Sequence, residues 1–210
     1  MLGRYNRDHT RSAGESEGIF DEAVTSLQKS LELKPDQAEA EFNLASSYQE
    51  QQKFPEAIAA YEKGLALNPK DGHALYNLGN AYMSQKASKR AIDSYTKALA
   101  AQPGLTEAQV ALGAALLQSG DAEASEAAYR KVIAEQPNNA DAYFNLGNAL
   151  FTKRQFSPAA DAYRESIRLR PDSARAHYNL AICLQWLNDE EAAGEFKEAE
   201  RLDPSLKPPK

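Results

Sequence analysis

The chain is poor in the residues on which most chemistry depends. It has one cysteine, one tryptophan, two methionines and three histidines in 210 residues. A lone Cys183 excludes an intrachain disulfide and agrees with a reducing, cytoplasmic location. Cationic charge is short as well: 24 Lys and Arg face 30 Asp and Glu, a net charge of -6. A field of that sign does not attract phosphate backbones or anionic lipid, so neither nucleic acid nor membrane is an expected partner. No apolar run approaches the ~20 residues that cross a bilayer. Met1–Gly18 lacks the apolar segment of a secretory signal.

Catalytic patterns are equally scarce. His9, His73 and His177 share no metal-ligand spacing with one another, with Cys183 or with the acids. Gly14-Glu-Ser16-Glu-Gly18 has the letters of a nucleophile elbow, but it lies in a polar stretch without the strand that motif requires. A Walker-type phosphate loop is absent. The expectation is a non-enzyme: no catalytic residue, no cofactor and no metal.

What the chain does have is a period. Ala140-Asp-Ala-Tyr-Phe-Asn-Leu-Gly-Asn-Ala-Leu-Phe151 is nearly repeated as Gly72-His-Ala-Leu-Tyr-Asn-Leu-Gly-Asn-Ala-Tyr-Met83, with further copies starting at Ala38, Thr106 and Ala174. All five starts are 34 residues apart, and so are Pro35, Pro69, Pro103, Pro137 and Pro171. A fixed period of this length means stacked supersecondary units rather than a closed globule. Each unit opens with an i, i+3, i+4, i+7 stripe, such as Tyr143, Leu146, Gly147 and Leu150. A turn and a second amphipathic helix follow, ended by the proline, which disfavours helical geometry in the residue before it. Ser157 and Pro158 are read as a cap and first helical position, and Thr106 with Gln109 as a capping box.

Small residues mark the close approaches. Ala45, Gly79, Gly113, Gly147 and Ala181 form one column and Ala57, Ala91, Ser125, Ala159 and Ala192 face it across the hairpin. Ala40, Ala74, Ala108, Ala142 and Ala176 are assigned to contact with the preceding unit. The organisation expected is a flexible or degenerate segment 1–17, a half repeat 18–37, and units at 38–71, 72–105, 106–139, 140–173 and 174–204. The last is one residue short near Leu187–Asp189, and a tail follows at 205–210.

The period, with Leu78-Gly79, Tyr82, Ala91, Tyr95, Ala98 and Pro103 as its markers, resembles the tetratricopeptide repeat (TPR) family over about residues 18–204. The resemblance implies an all-α fold, a right-handed superhelical α-solenoid of antiparallel helix hairpins. It also implies that first helices line a concave groove for peptide segments of partners. The residues placed on that groove are Phe42, Tyr76, Phe144 and Tyr178, and Met83, Leu117 and Phe151. Beside them stand the asparagines Asn43, Asn77, Asn145 and Asn179, and Asn80 and Asn148, with Trp186 as an aromatic anchor. The amides resemble the asparagine ladder of O-linked N-acetylglucosamine transferases. Met83, Leu117 and Phe151 are expected to form an apolar side-chain pocket, and packing inside the array is the competing role of the Phe42 column. No paired Lys/Asn set of the kind that clamps a C-terminal carboxylate is present.

The leading expectation is a peptide-binding scaffold or adaptor. Two others stand beside it: a substrate-recognition arm of a larger enzyme such as a glycosyltransferase, suggested by the half-unit start, and self-association through uncapped ends.

Overall fold

A computed structural model describes residues 2–209, with side chains from Gly18 onward. Among the described residues every regular element is a helix. These are α1 (Leu2–Leu33), α2 (Ala38–Glu50), α3 (Phe54–Leu67), α4 (Gly72–Ser84), α5 (Ser88–Ala101), α6 (Thr106–Gln118), α7 (Ala122–Glu135), α8 (Ala140–Thr152), α9 (Phe156–Leu169), α10 (Ala174–Trp186) and α11 (Ala192–Leu202). They fall into two compact units, Met1–Leu105 and Thr106–Lys210. In the first, hairpins α2–α3 and α4–α5 pack in series behind α1; in the second, α6–α7, α8–α9 and α10–α11 do the same. The all-α series of stacked hairpins is therefore as expected. Helix α1 runs from Leu2 to Leu33, and the side chains of residues 1–17, those of His9 and of Ser16 in the nucleophile-elbow letters included, lie outside the described residues.

The hairpins owe their shape to one turn repeated. The carbonyl of Tyr48, Tyr82, Leu116, Leu150 or Leu184 accepts the amide of the residue five positions on, at 2.9–3.0 Å. Between them Gln52, Lys86, Gly120, Arg154 and Asn188 take positive φ of 56–91°. This is a Schellman closure, which prefers glycine at its left-handed position because a Cβ is strained there. Only Gly120 meets that preference. Arg154→Gly is expected to stabilise the second unit by about 0.5–1 kcal/mol in urea melts.

Two capping expectations need correction. Helix α9 starts at Phe156 after Gln155, so Ser157 and Pro158 lie inside its first turn, where the missing amide of Pro158 still costs nothing. Thr106 accepts a hydrogen bond from Gln136 Nε2 at 3.1 Å, while Gln109 is buried, so no capping box forms. Caps appear instead at Asp71, Asp121 and Asn139, whose side chains accept from Ala74, Ala124 and Ala142 amides at 2.9–3.0 Å.

The core is a ladder of second-helix tyrosines. Tyr61, Tyr95, Tyr129 and Tyr163 are each 1% exposed, and Phe196 continues the series. Their rings fill the space left by the small column: a Cβ at Gly113 would sit 2.7 Å from Tyr129 Cζ. The facing column is buried too, and Ser125 Oγ donates to the Gly113 carbonyl at 2.8 Å.

Candidate functional site

The groove residues sort by how much of each ring or amide the hairpin consumes. The Phe42 column is half-buried and turned onto the second helix. Phe42 packs on Gly64, Tyr76 lies 5.9 Å from Tyr95, Phe144 5.8 Å from Tyr163, and Tyr178 5.5 Å from Phe196, between ring centroids. Met83, in the first unit, and Leu117 and Phe151, in the second, are half-buried.

The asparagines are tied to the tyrosine ladder. Tyr95 donates its hydroxyl to Asn80 Oδ1, and Tyr163 donates to Asn148 Oδ1, both at 2.7 Å. Ser46 Oγ and the Tyr61 hydroxyl share a hydrogen bond of 3.1 Å at the matching place. Asn148 Oδ1 also accepts from Asn179 Nδ2 at 3.0 Å, across successive hairpins, while Asn148 Nδ2 reaches Asn145 Oδ1 at 3.5 Å. Asn77 lies within reach of the Tyr61 hydroxyl, as Asn179 does of Tyr163. Asn43 is exposed. At Tyr129 the matching position is Ala114, which offers no acceptor; burial pushes the Tyr129 phenol up to about 12.

One pocket opens among the first helices of the second unit. It has a volume of about 290 Å³ and is lined by Asn148, Phe151, Thr152, Tyr163, Asn179 and Ile182, between α8 and α10. Three of these, Asn148, Phe151 and Asn179, are groove residues named from the sequence. Beside it runs an aromatic row. Phe151 meets Phe156 edge-on at 5.4 Å, and Phe156 stacks on Trp186 at 5.2 Å with 6° between planes. Trp186 is 59% exposed. Sequence reasoning missed Phe156, although an aromatic at the first position of a second helix, shared with Phe54 but not with Ser88 or Ala122, was a usable signal.

The chemically capable residues are used in packing. His177 is buried, with Nδ1 2.6 Å from Glu195 Oε2 and Nε2 3.0 Å from the Pro171 carbonyl. Glu195 thus turns inward onto His177 and is half-buried. Cys183 is fully buried, and burial pushes its thiol up to about 11.

The sequence matches the tetratricopeptide repeat family over residues 42–106, 110–168 and 146–206. The chain is a tetratricopeptide repeat protein. Solved structures agree with that assignment of this TPR chain. A crystal structure of MamA covers 80% of this chain and 92% of its own at 26% identity, with a TM-score of 0.75. YrrB, described as a TPR protein with an unusual peptide-binding site, covers 86% and 94% at 22% identity and TM-score 0.74. The pilF protein of Pseudomonas aeruginosa covers 95% and 94% at 23% identity and TM-score 0.72. No curated protein sequence matches this TPR chain.

Proposed function

We propose that this TPR chain is a non-catalytic scaffold that holds an extended segment of a partner protein along its first helices. The cleft between α8 and α10 takes one apolar side chain of that segment. The pocket at Phe151 carries the reading. At about 290 Å³ it sits at the lower edge of small-molecule sites, commonly ~300–1,000 Å³. It suits a single large side chain better than a cofactor. Its polar rim suits a peptide backbone. Among the described residues, Asn145 Nδ2 and Asn179 Oδ1 make no hydrogen bond, so the amide chain still offers a donor and an acceptor. Trp186, exposed and stacked on Phe156, supplies a rigid apolar platform next to the pocket. The peptide-binding site named for YrrB fits the same use of the fold.

A non-catalytic role agrees with His177 and Cys183, whose reactive atoms are spent on buried contacts. A cytoplasmic setting belongs to the same proposal, because Cys183 is a buried, unpaired thiol. No helix among the described residues is long and apolar enough to cross a membrane.

Selection of a random displayed peptide library on the full chain tests the reading. Selected peptides are expected to share one large apolar residue. Phe151→Asp is expected to weaken them by ~30-fold or more, the scale of a hot-spot loss, with helicity unchanged because Phe151 is half-buried. Peptides that bind Phe151→Asp as well as wild type would remove the pocket from the account.

A further inference from the structure

A second cleft lies in the first unit, between α1 and the α2–α3 hairpin. Its volume is about 590 Å³. Leu44 and Tyr48 give it apolar walls, and Glu32, Glu41, Glu56 and Lys63 line it. Glu41 is the anomaly. It is 7% exposed, and its Oε2 is buried with no hydrogen-bond partner. Among the described residues none of Glu32, Glu41, Glu56 and Lys63 enters an ion pair. A buried carboxylate normally has partners, because taking the charge out of water is costly without them.

The next hairpin shows what is missing. A cleft at the same place in the repeat is lined by residues each 34 positions on, with Leu75 for Glu41, Leu78 for Leu44, Tyr82 for Tyr48 and Arg90 for Glu56. There the apolar Leu75 leaves no buried charge, and the Arg90 guanidinium lies 5.6 Å from the centre of the Tyr82 ring. The tyrosine hydroxyls match as well: Tyr82 donates to Glu62 at 2.6 Å, and Tyr48 accepts from Gln28 at 2.8 Å. The first cleft thus keeps the aromatic wall, replaces the internal cation with an acid, and adds a buried acid beneath.

We propose that this cleft binds a lysine or arginine side chain from a partner protein, whose cationic head pairs with Glu41. The aliphatic stem of that side chain lies along Leu44 and Tyr48, as long cationic side chains do on apolar surface. Glu32 and Glu56 add attraction at the mouth, against the single Lys63. This site is separate from the pocket at Phe151, and either can fail alone.

The test is two-dimensional NMR of the full chain titrated with acetyl-Gly-Arg-Gly-amide, acetyl-Gly-Lys-Gly-amide and acetyl-Gly-Glu-Gly-amide. Saturable shifts at Leu44, Tyr48 and Ala60 are expected with a cationic peptide and not with the acidic one. Glu41→Gln is expected to weaken that binding at least about tenfold, and Phe151→Asp to leave it unchanged. Glu41→Leu should abolish it while raising the Tm, since Leu75 already fills the equivalent place. Absence of saturable shifts with both cationic peptides, wild-type affinity in Glu41→Gln, or a lowered Tm in Glu41→Leu would each overturn the proposal.

Discussion

Tyr163→Ala is expected to cost the second unit about 3–5 kcal/mol, the range for truncating a large buried aromatic. The ring is 1% exposed and belongs to a core with Leu146, Leu150, Leu180 and Leu184. It covers Gly147 and leans on Phe144, so its loss opens a cavity that rigid helix backbone cannot collapse into. Tyr163→Phe separates packing from hydrogen bonding. It removes the hydroxyl that donates to Asn148 Oδ1 and that Asn179 also reaches, while Asn148 Oδ1 still accepts from Asn179, and about 1 kcal/mol is expected. Urea melts with the m-value checked will show both effects. Stack stability is a sum of unit and neighbour terms, so the damage should spread to α10–α11. A loss under about 1 kcal/mol for Tyr163→Ala would mean the ladder does not carry the stack.

The second large effect is alkaline unfolding. Burial lifts the Cys183 thiol from 9.0 to about 11 and the Tyr129 phenol from 10.0 to about 12. Both groups release protons more readily when unfolded, so the folded state binds more protons between those values. Their contribution is fully present below about pH 9 and is lost as pH rises through about 11 and 12. Each shift corresponds to roughly 2–3 kcal/mol, by ~1.4 kcal/mol per pH unit. Thermal melts from pH 7 to 12 should be flat at first and then fall steeply. The fall should become shallower in Cys183→Ala with Tyr129→Phe. An unchanged profile in that double variant would assign the fall to other groups.

The repeat made the helices and the small columns legible, because a period of 34 fixes both where chains turn and where backbones meet. The turn conformation was hidden by its letters. Gln52, Lys86 and Arg154 carry no left-handed preference, and the five-residue closure imposes it on them. The asparagines all lie on first helices, as their phase in the repeat gives, but their bonds to tyrosine hydroxyls were not readable. Asn148 and Tyr163 are 15 residues apart on different helices, and nothing local couples them. The pocket at Phe151 was half visible. Phe151, Asn148 and Asn179 stood out by helical phase, and Thr152 follows Asn148 by one helical turn, whereas Tyr163 enters only through the hairpin's closeness. Glu41 was missed for a different reason. Its letter suggests solvent, yet the period sets it in one column with Leu75 and Tyr143 on the packed stripe, and it is 7% exposed between α1 and the α2–α3 hairpin.

Trp186 makes the central claim directly measurable. It is the chain's single tryptophan, exposed, and stacked on the ring that touches Phe151. A selected peptide seated in the α8–α10 cleft should shift its emission to the blue, saturably, at the concentration where the peptide binds. The same titration on Phe151→Asp should show no shift. Binding that leaves Trp186 emission untouched, or moves it equally in Phe151→Asp, would place the partner elsewhere and contradict the account.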